Sequence, residues 1–490
     1  MPNSERLTSR RRENREKGMA LMVSALMLVF TVPIIGLSVD AGVLWMIRAR
    51  MSAACDAAAL ATARNLNLGL TLSEQTANAI ARGQAFFLAN FPAGTMGTTG
   101  VTPSITVAQT NLSTLTVSTS ATGSAPLYFM RYMGQSFNLA GASGKASRRD
   151  VNVMLVLDRS GSMSGQPCAD MITASKSLVN MFMNGRDTMG LITFSTGATM
   201  TYAPANTFKT NNALSNKIDE VTCGGWTNSS YAYYKAYQQL VTINEPLALN
   251  LIVFFTDGVP TAFTAAIPIK TASDTRYGYS GGACGSSSTC TIPKSTCTDD
   301  YGKTYNSSSG TWQSGWGTFA PKLTVIAGGY DVPYDPDTGN DNSSSFGGCT
   351  LVSNTNTYSY RRDFAYLPST DVHGMSMTGY KATTTVSSGP YSGQLRIDDP
   401  TNLTNVPNNT AVNAATTARN NTNLNVVTYA IGLGSNGGVD TDFLLRMTND
   451  LASPTFDNTK AAGLYVYAPN STDLNQAFAR VASEILRLAQ

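Results

Sequence analysis

The residue types best suited to chemistry in this chain are Asp158, Ser160 and Ser162, a carboxylate followed by two hydroxyls at alternate positions, with Gly161 between them to permit a tight turn. Three hard oxygen donors in so short a span suit Mg²⁺, which takes oxygen ligands in near-octahedral geometry and commonly keeps waters and an open position. Mn²⁺ and Ca²⁺ accept the same kind of donor and stand as alternatives. Such a site needs a rigid support, and the preceding residues supply one. Val151-Asn152-Val153-Met154-Leu155-Val156-Leu157 is an almost unbroken apolar run, which reads as a strand buried on both faces of a parallel sheet. Open α/β sheets place their ligands just outside the carboxyl ends of such strands. Asp and Ser in this position are also ordinary caps of a following helix, so the motif is weak by itself.

Two later stretches strengthen it. Asn250-Leu251-Ile252-Val253-Phe254-Phe255-Thr256-Asp257-Gly258 is a second apolar strand ending on a carboxylate and a glycine, and Cys223-Gly224-Gly225-Trp226-Thr227-Asn228 is a glycine-flanked loop that presents a hydroxyl just before a helix. With these in order, the chain resembles the von Willebrand factor type A (vWA) domain, whose metal-ion-dependent adhesion site (MIDAS) reads D-x-S-x-S, then T, then D. The resemblance implies that Asp158, Ser160 and Ser162 ligate the metal directly, with Thr227 and Asp257 direct or through water. It also implies a protein partner that offers a carboxylate to complete the coordination sphere.

The surrounding composition points outside the cytosol. Charged residues make up 13% of the chain, about half the usual share. The net charge of +3 is small and not clustered in the body of the chain, which gives no support to nucleic-acid binding. Of seven cysteines, five lie from Cys223 to Cys349 in Gly/Ser/Thr-rich surroundings, as in an oxidising compartment. Residues 1–17 form a basic tail, and the uncharged apolar run 19–39 has the length of a transmembrane helix. The positive-inside rule puts the tail in the cytoplasm and everything after about residue 45 outside, in a single-pass inner-membrane topology with the bulk periplasmic or extracytoplasmic. Pro33 and Gly36 are candidate kinks, and Asp40 is expected at the outer interface.

The helical pattern continues to residue 65 through Ala53-Ala54-Cys55-Asp56-Ala57-Ala58-Ala59-Leu60-Ala61, whose small residues let another helix approach closely. The glycine before the apolar span, then Val39-Asp40, then this alanine-rich stretch resemble the N-terminal region of TadE/TadG-like proteins of the tight-adherence (Tad, or Flp) pilus assembly machinery, over roughly residues 15–66. Val23 stands where pilin-type precursors carry a Glu, so processing after Gly18 is not expected.

The rest of the chain is read as follows. Residues 67–149 form a small α+β stalk: a helix over 72–90, short strands at 105–107 and 115–119, a short helix over 125–133 and a strand over 137–147. Residues 150–490 alternate strands and helices, which argues for a doubly wound, Rossmann-like α/β sheet. The closing elements of that sheet fall at 425–434, 440–448, 464–467 and 472–488, the order in which vWA domains end. About 165 residues separate Asp257 from Asn425, far more than one helix and its loops require. A helix over 409–420 leaves about 260–408 as a Cys-containing insertion that must emerge on the metal face. Its Tyr, Ser, Gly, Asn and Thr, with Trp312 and Trp316, are the mix of adaptable binding surfaces.

Within the vWA fold, Cys168 and Cys223 would both approach the metal rim and are expected to form a disulfide, while Cys284, Cys290, Cys297 and Cys349 pair inside the insertion and Cys55 is left over. Asp335-Pro336-Asp337-Thr338-Gly339-Asn340-Asp341 hints at a Ca²⁺ loop, but its glycine falls one place early and no bidentate Glu follows. His373 is the only histidine, which leaves a catalytic triad or zinc site little to work with, and no enzyme activity is expected. The sequence therefore points to a membrane-anchored vWA protein that binds a partner through Mg²⁺ in assembling or anchoring a Tad-type pilus. The rival is a surface adhesin gripping host or matrix ligands with its metal face and insertion.

Overall fold

The computed structural model describes residues 4–265, 268, 272, 274–277, 289–292, 315–318, 365–397, 399–434 and 438–489. The chain divides into two compact units, residues 1–69 with 73–148 and residues 70–72 with 149–490. The possible Ca²⁺ loop at 335–341, Trp312 and the expected pairings of Cys284, Cys297 and Cys349 lie outside the described residues, as do the side chains of Cys290 and Trp316.

In the first unit, helix α1 (Ser4–Arg64) runs 61 residues without interruption and carries Pro33 inside it. Around the proline, the hydroxyls of Thr31 and Ser38 donate back to the carbonyls of Met27 and Ile34, local bonds of the kind an apolar helix uses to satisfy its polar groups. Among the described residues one helix, Met22–Arg64, is long and apolar enough to cross a membrane. Its character changes along its length. Met22, Leu26, Val29, Phe30, Ile34 and Ile35 are exposed, whereas Met51, Ala54, Cys55, Ala58 and Ala59 are fully buried.

What buries the second half is helix α2 (Leu72–Asn90) and an antiparallel sheet of β1 (Thr99–Asn111), β2 (Thr114–Pro126) and β3 (Phe137–Arg149), in the order β1-β2-β3. Burial along β2 alternates residue by residue, as a half-buried strand requires. The alanine stretch admits a helix, as expected, and a sheet as well. Gly83 of α2 lies where a side-chain carbon would crowd Thr62 and sit 3.1 Å from the Ala58 carbonyl, and Gly144 of β3 lies against the Asp56 backbone. The strands expected at 105–107 and 115–119 are longer than those apolar cores, because antiparallel pairing carries the ladder out into polar residues. The helix expected over 125–133 is reduced to a 3-10 turn at Met130–Met133. Ala125 is needed in the sheet core, and β2 extends to Pro126.

The second unit is built on a six-stranded sheet in the order β13-β12-β7-β4-β5-β6, parallel except for β6. Its strands are β4 (Val151–Asp158), β5 (Thr188–Phe194), β6 (Ala198–Ala205), β7 (Leu249–Thr256), β12 (Val427–Leu433) and β13 (Leu464–Ala468). Every residue of β4, β7 and β12 is buried, which is why these strands are uninterrupted apolar runs and do not alternate.

One face of the sheet is covered by α3 (Gln166–Asn180), α4 (Ala213–Asp219) and α8 (Leu474–Leu488), with Val153, Leu155, Met171, Leu178, Phe478 and Val481 in its core. The other is covered by α5 (Ser229–Ile243), α6 (Pro400–Arg419) and α7 (Thr441–Thr448), with Met154, Val156, Phe254, Ala411 and Phe443.

Between β7 and α6 come the short strands β8 (Ala262–Ala265), β9 (Asp274–Tyr277), β10 (Thr289–Ile292) and β11 (Gly315–Thr318), paired antiparallel as β8 with β11 and β9 with β10. Helix α6 starts at Pro400, earlier than the sequence pattern predicts. Asp399 caps it by accepting from the Thr401 N–H at 2.8 Å, proline occupies a first-turn position, and Pro407 is carried inside the helix because Val406, Ala411, Ala414, Ala415 and Ala418 are buried. The irregular residues 365–397 are fastened to α6 by asparagines. Asn409 accepts from the Lys381 N–H and donates to the Met377 and Lys381 carbonyls, and Asn402 donates to those of Thr384 and Arg396.

Helix α5 is tied to the sheet by a buried bond of 2.6 Å between the Tyr233 hydroxyl and Thr428 of β12. Tyr233→Phe leaves the Thr428 hydroxyl short of a partner and is expected to cost about 1–2 kcal/mol. An unchanged urea midpoint for the second unit would refute this.

Candidate functional site

Asp158 is the last residue of β4, and Asp257 follows the last residue of β7. The two strands are adjacent and in register, with Leu157 opposite Phe255, so both carboxylates emerge at the same edge of the sheet. From β4 the chain builds toward β5 and β6 on one side, and β7 opens the other. The site therefore lies at the switch point where α/β sheets bind ligands.

The loop after β4 turns at once through a 3-10 turn, Gly161–Met163. The Ser160 N–H donates to Asp158 Oδ1 at 2.8 Å, the hydroxyls of Ser160 and Ser162 lie 3.2 Å apart, and Ser162 Oγ donates to Asp257 Oδ1 at 2.8 Å. Four of the five residues singled out from the sequence thus form one connected group. Thr227 is brought alongside by its loop: the Gly224 N–H donates to the Arg159 carbonyl at 2.6 Å and the Gly161 N–H donates to the Gly225 carbonyl at 2.8 Å. The approach is close at Gly161, where an added side-chain carbon would stand 3.3 Å from the Gly225 carbonyl oxygen.

A disulfide joins Cys168 at the start of α3 to Cys223 at the head of the Thr227 loop, as expected, closing a separation of 55 residues. Asn228 caps α5 by accepting from the Tyr231 N–H, and it donates to the Thr196 carbonyl and Thr264 Oγ1. The Thr227 carbonyl accepts from the N–H groups of Thr261 and Ala262, and its own N–H donates to Thr261 Oγ1. The root of the segment that follows β7 is therefore bound directly to the threonine loop.

Two residues that sequence reasoning passed over also contribute. Thr256 Oγ1 donates to Asp158 Oδ2 at 2.6 Å, and Thr196 Oγ1 accepts from the Trp226 N–H at 3.1 Å. Thr256 had a readable signal, a hydroxyl at the last position of an apolar strand. Thr196 had none, because it comes from the β5–β6 turn. His373, the one histidine, is engaged elsewhere, with its ring against those of Tyr231 and Tyr234 on α5.

The electrostatics are those of a site short of positive charge. Asp158 is fully buried, Asp257 is 2% exposed, and Ser162 alone of the five is open to solvent. Burial, and secondarily the neighbouring charge of Asp257, pushes the Asp158 carboxyl up to about 7. Burial also raises Asp257, with the Ser162 hydroxyl pulling it part of the way back. Asp257 Oδ2 is buried with no hydrogen-bond partner. An orphaned carboxylate oxygen beside a second buried carboxylate and two hydroxyls fits a hard divalent cation, which would supply the missing charge. Among the described residues no three His, Cys, Asp or Glu side chains converge, so such a cation would depend on serine and threonine oxygens.

Comparison with known proteins identifies two segments. Residues 152–288 match the von Willebrand factor type A domain, and residues 18–65 match the putative Flp pilus-assembly TadE/G-like family. The chain thus carries a Tad-like segment on α1 and a vWA domain whose matched span includes all five site residues. The strands β12 and β13 complete the sheet beyond that span.

Similar solved structures include the PilB minor pilin from Streptococcus sanguinis (13% identity, 80% of this chain and 79% of that one, TM-score 0.32). The vWF domain of the type V pili tip protein Mfa5 from Porphyromonas gingivalis is another (14% identity, 70% of this chain and 98% of that one, TM-score 0.35). A third is the pilus adhesin SpaC from Lactobacillus rhamnosus GG in its open conformation (12% identity, 79% of this chain and 34% of that one, TM-score 0.36). No curated protein matches the chain.

Two outcomes follow from the geometry. Because the Asp158 carboxyl is raised on folding, its favourable contribution is complete below its unfolded value near 4 and is lost as pH rises through about 7. In chelator, the melting temperature of the second unit should therefore fall between pH 5 and pH 8. Asp158→Asn should flatten that dependence, and a wild-type profile already flat over this range would contradict the assignment. Replacing Cys168 and Cys223 together by serine should lower stability by about 2–4 kcal/mol. Differential scanning calorimetry of the double variant measures it, and an unshifted transition would show that the hydrogen bonds between the two loops suffice.

Proposed function

We propose, for a chain that carries a TadE/G-like segment and a vWA domain, that it is a membrane-anchored, pilus-associated protein whose vWA domain grips a partner protein through a bound divalent cation. The observation that carries the reading is the orphaned, buried Asp257 oxygen, linked through Ser162 and Ser160 to a second buried carboxylate at the sheet's switch point. Asp158, Ser160 and Ser162 hold the cation, with Thr227 and Asp257 direct or through water, and Mg²⁺ is the ion the all-oxygen set fits best. A bound cation supplies positive charge at a position open to an incoming carboxylate. The protein residues set that position. Asp158 is locked by the Ser160 N–H and Thr256, and exposed Ser162 marks the open side. The role is binding, with no chemical step.

The apolar helix is the anchor, with residues 1–17 cytoplasmic and the chain after about residue 45 outside, where a disulfide is stable. Residues 67–149 are the segment between anchor and binding domain. The adhesin reading draws on one observation, the direct hydrogen bonding of β8 and its lead-in to the Thr227 loop, which makes the residues after β7 part of the metal rim.

Titration calorimetry of Mg²⁺ into the full chain in detergent should give one ion per chain, and none for Asp158→Ala or Asp257→Ala, both still folded by circular dichroism. Unchanged ion binding by both variants would sink the proposal. In cells carrying Asp257→Ala, loss of pili supports assembly, whereas intact pili with lost adherence would favour the adhesin.

A further inference from the structure

We infer that the turn joining β2 to β3, residues 127–136, together with the first residues of β3, docks into the headgroup layer of the same phospholipid bilayer that α1 crosses. The inference rests on the membrane-anchored reading of α1 and adds a second point of attachment to it.

The turn is clasped to the helix at a defined level. The Asp40 carboxylate is 3% exposed and accepts from three consecutive main-chain donors, the N–H groups of Tyr128 at 2.7 Å, Phe129 at 3.0 Å and Met130 at 2.8 Å. Charge-assisted bonds to successive N–H groups are strong, and here they cap the 3-10 turn that follows. Asp40 is the first charged residue after the apolar run 19–39, which at 1.5 Å per residue is about 30 Å long, the thickness of a hydrocarbon core. It therefore marks where hydrocarbon gives way to headgroups. One turn further toward the apolar side, the ring of Phe129 lies against Gly36, in space that only a glycine leaves open.

What the turn then presents to the outside is unlike a soluble surface. Tyr132, Met133, Phe137 and Leu139 are 81%, 72%, 55% and 66% exposed, and Tyr128 is 49% exposed. So many exposed large apolar side chains in one short stretch of chain mark an interaction face, and tyrosines with an apolar body and a polar tip are the residues of membrane interfaces. Trp45 of α1, 72% exposed and little more than one turn past Asp40, belongs to the same level. Charge agrees with a phospholipid surface. Residues 75–149 contain no Asp or Glu, and Arg131 extends over the Tyr132 ring at 5.4 Å. The bilayer is thus favoured over a second protein by continuity with the spanning helix, by the aromatic content and by the absence of acid.

The test uses the full chain in liposomes of phosphatidylethanolamine and phosphatidylglycerol, with a benzophenone-bearing phenylalanine placed singly at Tyr132, at Met133, at Val29 within the span, or at Leu112. Leu112 is 83% exposed but lies at the far end of β2, about 40 Å away. After irradiation, mass spectrometry should find lipid adducts at 132 and 133 in yield similar to 29 and several-fold above 112. Adducts at 29 with none at 132 or 133, or with protein adducts there instead, overturn the inference and leave the membrane span standing. Equal yields at 132 and 112 overturn it as non-specific. No lipid adduct at 29 removes the span, and the inference with it.

Discussion

Two carboxylates buried side by side at the ends of adjacent parallel strands are the constraint on which the second unit depends. A sheet whose central strands are apolar on both faces offers them no solvent, and the charge of each opposes that of the other. The surrounding chain answers with donors that can be fixed without adding charge. These are the Ser160 N–H and the Thr256 hydroxyl on Asp158, and the Ser162 hydroxyl on Asp257. The donors fall one short, and one oxygen of Asp257 stays buried without a partner. The arrangement is costly as it stands, and a cation would relieve that cost, which is the physical content of the binding proposal.

The positioning of these loops follows from the same economy. The chain is poor in charge, and many bonds that hold its irregular segments run from amide side chains to main-chain groups. Asn228 joins the threonine loop to the β5–β6 turn, Asn402 and Asn409 fasten residues 365–397 to α6, and Asn449 accepts from the Asp457 N–H and donates to its carbonyl. Such bonds are short-ranged and directional, so they hold a loop in one geometry. The disulfide adds a covalent restraint between the two loops that carry Ser162 and Thr227.

In the first unit a single carboxylate is treated in the opposite manner. Asp40 receives three main-chain donors and is fully matched, and its role is to fix a turn. The contrast between a satisfied and an unsatisfied buried aspartate separates a structural contact from a site that calls for a ligand.

The order of strands and helices, and the carboxylates and hydroxyls that gather at the ends of two of those strands, could be read from the sequence because both are local signals. A strand buried on two faces must be apolar throughout, and its end must be polar, so Val151–Asp158 and Leu249–Thr256 announce themselves and the residues that follow them. The membrane-length run and the alanine stretch are equally local. Tertiary structure decided the rest. The early start of α6 despite Pro407 depends on burial of its alanine face against the core. The replacement of a helix over 125–133 by a short turn goes with the extension of β2 to Pro126 and with the clasp of Asp40, some 90 residues away, on the turn that follows. Thr196 enters the site because the β5–β6 turn packs beside Trp226. Local pattern reports what each residue needs from its surroundings, whereas which distant group meets that need is set only when the chain has folded.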